Sequence, residues 1–100
     1  MYQHKPRLQE KVAIITGAGS SGPGVGNGKA AALLFAREGA KVLLVDSVIE
    51  RAEETLEMVK QEGGEASVFE ANVTNDDDCL RMVEAAMDRD GRLDILDNNV

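Results

Sequence analysis

Aromatic side chains are scarce in this chain of 100 residues, which has no tryptophan and only 3% aromatic residues. The apolar residues, 43% of the chain, are therefore almost all aliphatic. Such a composition is typical of parallel sheets that are buried between layers of helices. The length suits one small domain with a modest core.

Basic residues are also few: 11 Lys and Arg face 18 Asp and Glu, for a net charge of −7. This balance argues against a nucleic-acid backbone or an anionic membrane as the partner, since both attract basic surfaces. No apolar run approaches the roughly 20 residues of a membrane span, and we expect no apolar signal segment before Val12. The single cysteine, Cys79, excludes an internal disulfide, so a cytoplasmic protein is expected.

Glycine, by contrast, is concentrated in one place. Six of the ten glycines lie between Thr16 and Gly28, directly after the apolar run at 12–15 and directly before an alanine-rich helical stretch. A strand that leads through glycines into a helix presents backbone N–H groups at the helix N-terminus, which suits the phosphates of a nucleotide. The candidate cofactor-binding residues in this segment are Gly17, Gly19, Gly26, Asn27 and Gly28.

Short aliphatic runs alternate with helical patterns along the whole chain. Strands are predicted at 12–16, 42–45, 66–71 and 93–96, and helices at 29–38, 48–62 and from Thr74 onward. This alternation predicts right-handed crossovers and an α/β, Rossmann-type βαβαβαβ fold with a parallel sheet of order 3-2-1-4. Residues 1–10 are interpreted as a lead-in and residues 11–100 as the domain.

The third helix is expected to begin at Thr74, with Asp77 as the acid of a capping box. Its core face is predicted to carry four residues: Cys79, Val83, Ala86 and Met87.

The fourth strand is predicted to lie at an edge of the sheet. Its apolar residues are nevertheless typical of a strand that is covered by helices and paired with another strand on each side. An unpaired apolar edge strand favours association, so a homo-oligomer is compatible with this sequence. The pattern is that of a truncated half of a doubly wound fold.

Asp46 follows the second strand, eighteen residues after Gly28. A carboxylate at this place accepts hydrogen bonds from the ribose hydroxyls of an adenosine and repels a 2′-phosphate. NAD is therefore expected as the cofactor in preference to NADP. Arg51, five residues later, could approach a 2′-phosphate if the ribose site were relaxed.

Four segments carry a more specific pattern. The strand at 11–17 ends in Thr-Gly, residues 26–28 read Gly-Asn-Gly, Asn72-Val73 follows the third strand, and residues 91–99 lead through the fourth strand to Asn98-Asn99. In this order they resemble the motifs of the short-chain dehydrogenase/reductase family. Three departures are a glycine-rich loop five residues longer than the family pattern, Asp97 at an apolar position, and Val100 in place of alanine.

The resemblance implies an oxidoreductase that transfers hydride between a nicotinamide cofactor and a CH–OH or C=O group. It implies that Asn72 and Val73 meet the adenine and that Asn99 belongs to the cofactor site. The family's catalytic Ser and Tyr-x-x-x-Lys are absent here: Tyr2 is the single tyrosine, with no lysine four residues later. An alcohol or carbonyl substrate is therefore expected only in a full-length form, and no catalytic residue is assigned.

Two alternatives remain open from the sequence: a non-catalytic nucleotide-binding fragment, and a class I methyltransferase-like domain that binds S-adenosylmethionine. A P-loop is excluded, because Pro23 and Ala30 stand where that motif requires Gly and Ser or Thr. Cys79 has no basic neighbour to stabilise a thiolate, and His4 has no companion ligand. No metal site is expected.

Overall fold

The computed structural model describes residues 10–17, 27–72 and 75–98. In these residues the strands form a single parallel sheet of order β3-β2-β1-β4, which confirms the predicted α/β fold and strand order. The elements are β1 (Val12–Thr16), α1 (Asn27–Arg37), β2 (Lys41–Asp46), α2 (Ile49–Gln61), β3 (Glu65–Glu70), α3 (Asp76–Asp90) and β4 (Ile95–Asn98).

Helices cover both faces of the sheet, because the aliphatic residues at 12–15 in β1 and 42–45 in β2 are all buried. On one face Ile15 and Leu44 pack in a cluster with Ala32 of α1 and Ala52 of α2. On the other face Ile14, Leu43 and Val45 pack with Met82 and Ala86 of α3. Alternate strand residues thus point into two separate cores, which is the burial pattern of a doubly wound sheet.

The start of α3 differs from the prediction. The helix begins at Asp76 and its N-cap is Asn75, so the expected start at Thr74 was wrong. The Asn75 side-chain oxygen accepts hydrogen bonds from the backbone N–H groups of Asp77, at 2.9 Å, and Asp78, at 3.2 Å. These bonds satisfy two donors that the first turn of a helix otherwise leaves unpaired.

The core face of α3 was predicted only in part. Met82 and Ala86, one helical turn apart, are its buried residues, and Val83 packs beside them, whereas Cys79 is half-buried. Met87, expected in the core, is 46% exposed. Met87 follows Ala86 by one residue, so its side chain is rotated by about 100° around the helix axis and points away from the sheet.

β4 begins two residues later than predicted because Asp94 is used to join it to β1. The Asp94 N–H donates to the Val12 carbonyl, and the Asp94 carboxylate accepts from the Val12 N–H, each at 2.9 Å. The Arg92 guanidinium, 2.7 Å away, and the Val12 N–H both lower the pKa of Asp94. The regular ladder then starts at Ile95, and Leu93 packs against the α3 side of the core.

Candidate functional site

The carboxyl ends of the four strands come together at one edge of the sheet. Thr16 is paired with Val45 on one side and with Asn98 on the other, and Asp46 is paired with Glu70. The chain leaves β1 through α1 toward β2, but it reaches β4 on the opposite side of β1 through α3. The carboxyl ends of β1 and β4 therefore flank the topological switch point, where doubly wound sheets bind ligands.

The two strands at this switch point are tied together by the hydroxyl of Thr16. Thr16 is 2% exposed, and its Oγ1 donates to the Asp97 carbonyl at 3.4 Å. The Thr16 hydroxyl therefore connects the end of β1 to β4 across the switch point.

The glycine-rich segment begins at the same edge. Gly17 follows β1 with a φ of 60°, a left-handed conformation that suits glycine, and α1 begins at Asn27 with Gly28 buried in its first turn. The N-terminus of α1 thus lies at the carboxyl edge, where helix amides attract anions. The predicted residues Gly19 and Gly26 lie outside the described residues.

Asp46 ends β2 at the predicted place and is held there rigidly. It is 8% exposed, its Oδ1 accepts from the Val48 N–H at 2.9 Å, and its backbone carbonyl accepts from the Ala71 N–H at 3.2 Å. The first bond closes the turn into α2, and the second joins the ends of β2 and β3. These two bonds fix the position of Asp46 at the carboxyl edge of the sheet.

Asn72 lies one residue beyond Ala71, exposed at the end of β3. Its N–H donates to Asp78 Oδ2 at 2.8 Å, and its carbonyl accepts from the Asn75 N–H at 2.9 Å. The structure thus brings Asp46 and Asn72 to neighbouring strand ends. The predicted residues Val73 and Asn99 lie outside the described residues.

Sequence reasoning missed Asn75 and Asp78, which shape this turn. The signal was present: Asn75 and Asp78 are three residues apart, as an N-cap and the acid of a capping box would be. Thr74 and Asp77 have the same spacing, so the pattern alone does not select between the two registers.

A groove of about 380 Å³ lies elsewhere, lined by Lys41 and Glu65 among others. Because both residues begin their strands, this groove lies at the amino edge of the sheet, opposite Asp46. Across residues 10–17, 27–72 and 75–98, no three His, Cys, Asp or Glu side chains are grouped so as to hold a metal ion. In the same ranges none of the helices has the length and apolar character to span a membrane.

The sequence matches the short chain dehydrogenase family over residues 11–100. The chain belongs to this family. An uncharacterized oxidoreductase of Thermotoga maritima is 45% identical over 92 residues, which are 92% of this chain and 34% of that protein. The match favours the dehydrogenase interpretation over a methyltransferase-like domain.

Solved structures of short-chain dehydrogenases share the fold. A short-chain dehydrogenase/reductase from Burkholderia xenovorans superimposes with a TM-score of 0.90 and 47% identity, over 95% of this chain and 36% of that one. A 7α-hydroxysteroid dehydrogenase in complex with NADH and 7-oxo glycochenodeoxycholic acid has a TM-score of 0.83 and 34% identity, over 92% and 34%. The chain therefore spans about a third of these relatives and corresponds to the N-terminal part of a short-chain dehydrogenase, a family that uses NAD(P).

Proposed function

We propose that this chain is the dinucleotide-binding part of an NAD-dependent short-chain dehydrogenase. The observation that carries the proposal is the Asp46 carboxylate, fixed at the end of β2 by Val48 and beside the switch point of the sheet. The reaction served is hydride transfer between the nicotinamide and a CH–OH or C=O group of a small molecule. That reaction belongs to a full-length form, which supplies the catalytic Ser and Tyr-x-x-x-Lys.

Three places at the carboxyl edge of the sheet are proposed to bind three parts of the dinucleotide. In this proposal the N-terminus of α1 holds the pyrophosphate, Asp46 accepts from the adenosine ribose, and Asn72 and Val73, which follow β3, meet the adenine. A negative carboxylate at the ribose disfavours a 2′-phosphate, so NAD binds more tightly than NADP. The residues proposed to bind the cofactor are Gly17, Gly19, Gly26, Asn27, Gly28, Asp46, Asn72, Val73 and Asn99.

Further expectations belong to this proposal. The domain comprises residues 11–100, after a lead-in at 1–10, and acts in the cytoplasm. The acidic chain binds neither nucleic acid nor membrane, while copies of it can associate. The chain alone binds the dinucleotide without turning over an alcohol, and NADH formation by the purified chain would contradict this.

The test is a calorimetric titration of NAD and NADP into the parent chain and into Asp46→Ser. Loss of hydrogen bonds to a charged acceptor raises the Kd for NAD roughly tenfold to a hundredfold. Glu70→Gln is the matched control, because Glu70 ends β3 as the pairing partner of Asp46 but is exposed. It leaves the Kd for NAD unchanged.

Asp46→Ser is also expected to improve binding of NADP relative to NAD, because the repulsion of the 2′-phosphate is gone. Arg51, half-buried near the start of α2, follows Asp46 by five residues and is the cation proposed to approach that phosphate. Adding Arg51→Ala to Asp46→Ser should reverse the gain. Equal NAD affinity of the parent chain and Asp46→Ser, or binding of S-adenosylmethionine in place of NAD, would contradict the proposal.

A further inference from the structure

Asp78 reaches back from the first turn of α3 to the end of β3. Its Oδ2 lies 2.8 Å from the Asn72 backbone N and accepts that N–H, while the Asn75 N–H donates to the Asn72 carbonyl at 2.9 Å. Both main-chain polar groups of Asn72 are thus bonded to residues at the start of α3. The position of Asn72 is consequently coupled to that helix.

The coupling extends to Asp46 through one further residue. Ala71, next to Asn72, is 4% exposed and donates its N–H to the Asp46 carbonyl at 3.2 Å. Two hydrogen bonds on adjacent residues, from the Ala71 N–H to Asp46 and from the Asn72 N–H to Asp78, therefore connect Asp46 to Asp78 through the peptide bond at 71–72. They join the carboxyl ends of β2 and β3 to α3.

Helix capping does not account for the contact that Asp78 makes. Asn75 already caps the N–H groups of both Asp77 and Asp78, and in a capping box the acid would return to the N–H of Asn75 itself. The Asp78 carboxylate instead binds the N–H of Asn72, three residues farther back. Asp76 and Asp77, exposed in the same turn, give the helix N-terminus the same favourable charge.

We propose that Asp78 is a positioning residue that holds Asn72 in place for the adenine half of the dinucleotide. The inference rests on the proposed function, since Asn72 is assigned to the adenine there. Asp78 does not itself touch the cofactor. It fixes the backbone of Asn72 at the end of β3, next to the residue that bonds to Asp46.

The test compares Asp78→Ala with Asp78→Asn, which keeps a side-chain oxygen as acceptor, and with Asp76→Ala, which removes the same charge from the same turn. Each variant of the full chain is titrated with NAD, AMP and nicotinamide mononucleotide. Asp78→Ala should raise the Kd for NAD and for AMP about tenfold, the effect of one lost bond to a charged acceptor. Asp78→Asn should recover most of this affinity.

Affinity for the nicotinamide half distinguishes a positioning role from a general structural role, because general damage to the fold would weaken binding of both halves. Affinity for nicotinamide mononucleotide should be the same in all three variants, and Asp76→Ala should bind NAD and AMP like the parent chain. Equal losses for both halves, or the same loss in Asp76→Ala, would overturn the positioning role while leaving the proposed function intact. A parent chain that binds neither NAD nor AMP would overturn both.

Amide hydrogen exchange checks the bond itself without any cofactor. Asp78→Ala should speed exchange of the Asn72 amide at least about tenfold relative to the amides of β2, and Asp78→Asn should restore protection. Unchanged protection of the Asn72 amide in Asp78→Ala would show that the bond does not position this residue. A matching melting temperature for Asp78→Ala and Asp76→Ala excludes general unfolding as the cause.

Discussion

The turns that lead from helix to strand are built differently from those that lead from strand to helix. After α1, α2 and α3 the chain reverses through Gly39, Gly63 and Gly91, whose φ angles are 95°, 82° and 74°. After β2 and β3 it reverses instead through carboxylate and amide side chains that accept backbone N–H groups. The two kinds of turn lie at opposite edges of the same sheet.

The helix-to-strand turns after α1 and α2 use the backbone alone, whereas the connection from α3 to β4 adds the Asp94 carboxylate, which accepts the Val12 N–H. At the end of α2 the Gly63 N–H donates to Lys60 and the Gly64 N–H to Val59, which are the two bonds of a Schellman motif. Gly39 and Ala40 form the same pair of bonds at the end of α1. Such turns satisfy the helix carbonyls without a polar side chain, so they stabilise the fold and offer little to a ligand.

The strand-to-helix turns place acidic and amide groups where the strands end. Asp46 and Asp78 each use one carboxylate oxygen to hold a backbone N–H, and Asn75 holds two. The side chains that shape these turns therefore also give the edge its polarity. Function is expected to be sensitive to substitutions at this edge, and stability to substitutions at the other.

The largest effect on stability is expected from Gly64→Ala. A Cβ at this position would lie 2.9 Å from Val59 Cγ1 and 3.1 Å from the Ala36 Cβ. Val59 is fully buried and its χ1 angle is restricted in a helix, so it does not yield easily. Overpacking of this kind should lower the free energy of unfolding by about 2–3 kcal/mol, measured by urea denaturation.

Gly63→Ala is the matched control, since no atom lies within 4 Å of its added Cβ. Only the left-handed conformation opposes this substitution, at about 1 kcal/mol. Once folded, both variants should bind NAD like the parent chain, because they lie at the amino edge. An equal loss of stability in the two variants would contradict the overpacking at Gly64. A loss of NAD affinity in either variant would contradict the division of stability and function between the two edges.

A smaller effect is expected from Asn75→Ala at the other edge. Loss of the N-cap leaves the N–H groups of Asp77 and Asp78 without their acceptor and should cost about 1 kcal/mol. Asn75→Ser should restore most of this stability, because serine is also a good N-cap. Stability is measured by urea denaturation, and no difference between Asn75→Ala and Asn75→Ser would show that capping does not stabilise α3.

Sequence reasoning predicted those parts of the fold that depend on local pattern. β1 was predicted at its observed bounds because an aliphatic run is followed there by Thr16 and a glycine. Asp46 was predicted at the end of β2 because the aliphatic run at 42–45 ends at this residue. The family resemblance was likewise confirmed over residues 11–100.

The error at β4 arose because a side chain bonds to a distant part of the chain. Asp94 interrupts an apolar stretch, and its bonds to Val12, 82 residues away, shift the start of β4. At α3 two equivalent capping registers compete, and the packing of Met82 and Ala86 against the sheet accompanies the later one. The residues around β4 contain no information on the contact with Val12, and the spacing of polar residues before α3 does not select between the two registers.

The smallest effect concerns pH and the ion pair that joins the two Schellman turns. Arg37, the last residue of α1, binds Glu62 at the end of α2 through contacts of 2.6 and 2.9 Å. The hydrogen bond from Arg37 lowers the pKa of Glu62, and Arg92 does the same to the pKa of Asp94. A carboxyl group whose pKa is lowered by folding stabilises the protein above its ordinary pKa and loses that contribution as the pH falls through the folded value.

Stability should therefore be level between pH 7 and 5 and should fall below about pH 5, where unfolded carboxylates begin to bind protons. Glu62→Gln combined with Asp94→Asn should make this fall shallower, although the change is small because both pairs are exposed. Added salt should screen the pairs and reduce the difference between the parent chain and the double variant. Two results would show that these ion pairs do not set the pH dependence of stability: a fall in stability that already begins at pH 6, or the same slope at low pH in the parent chain and the double variant.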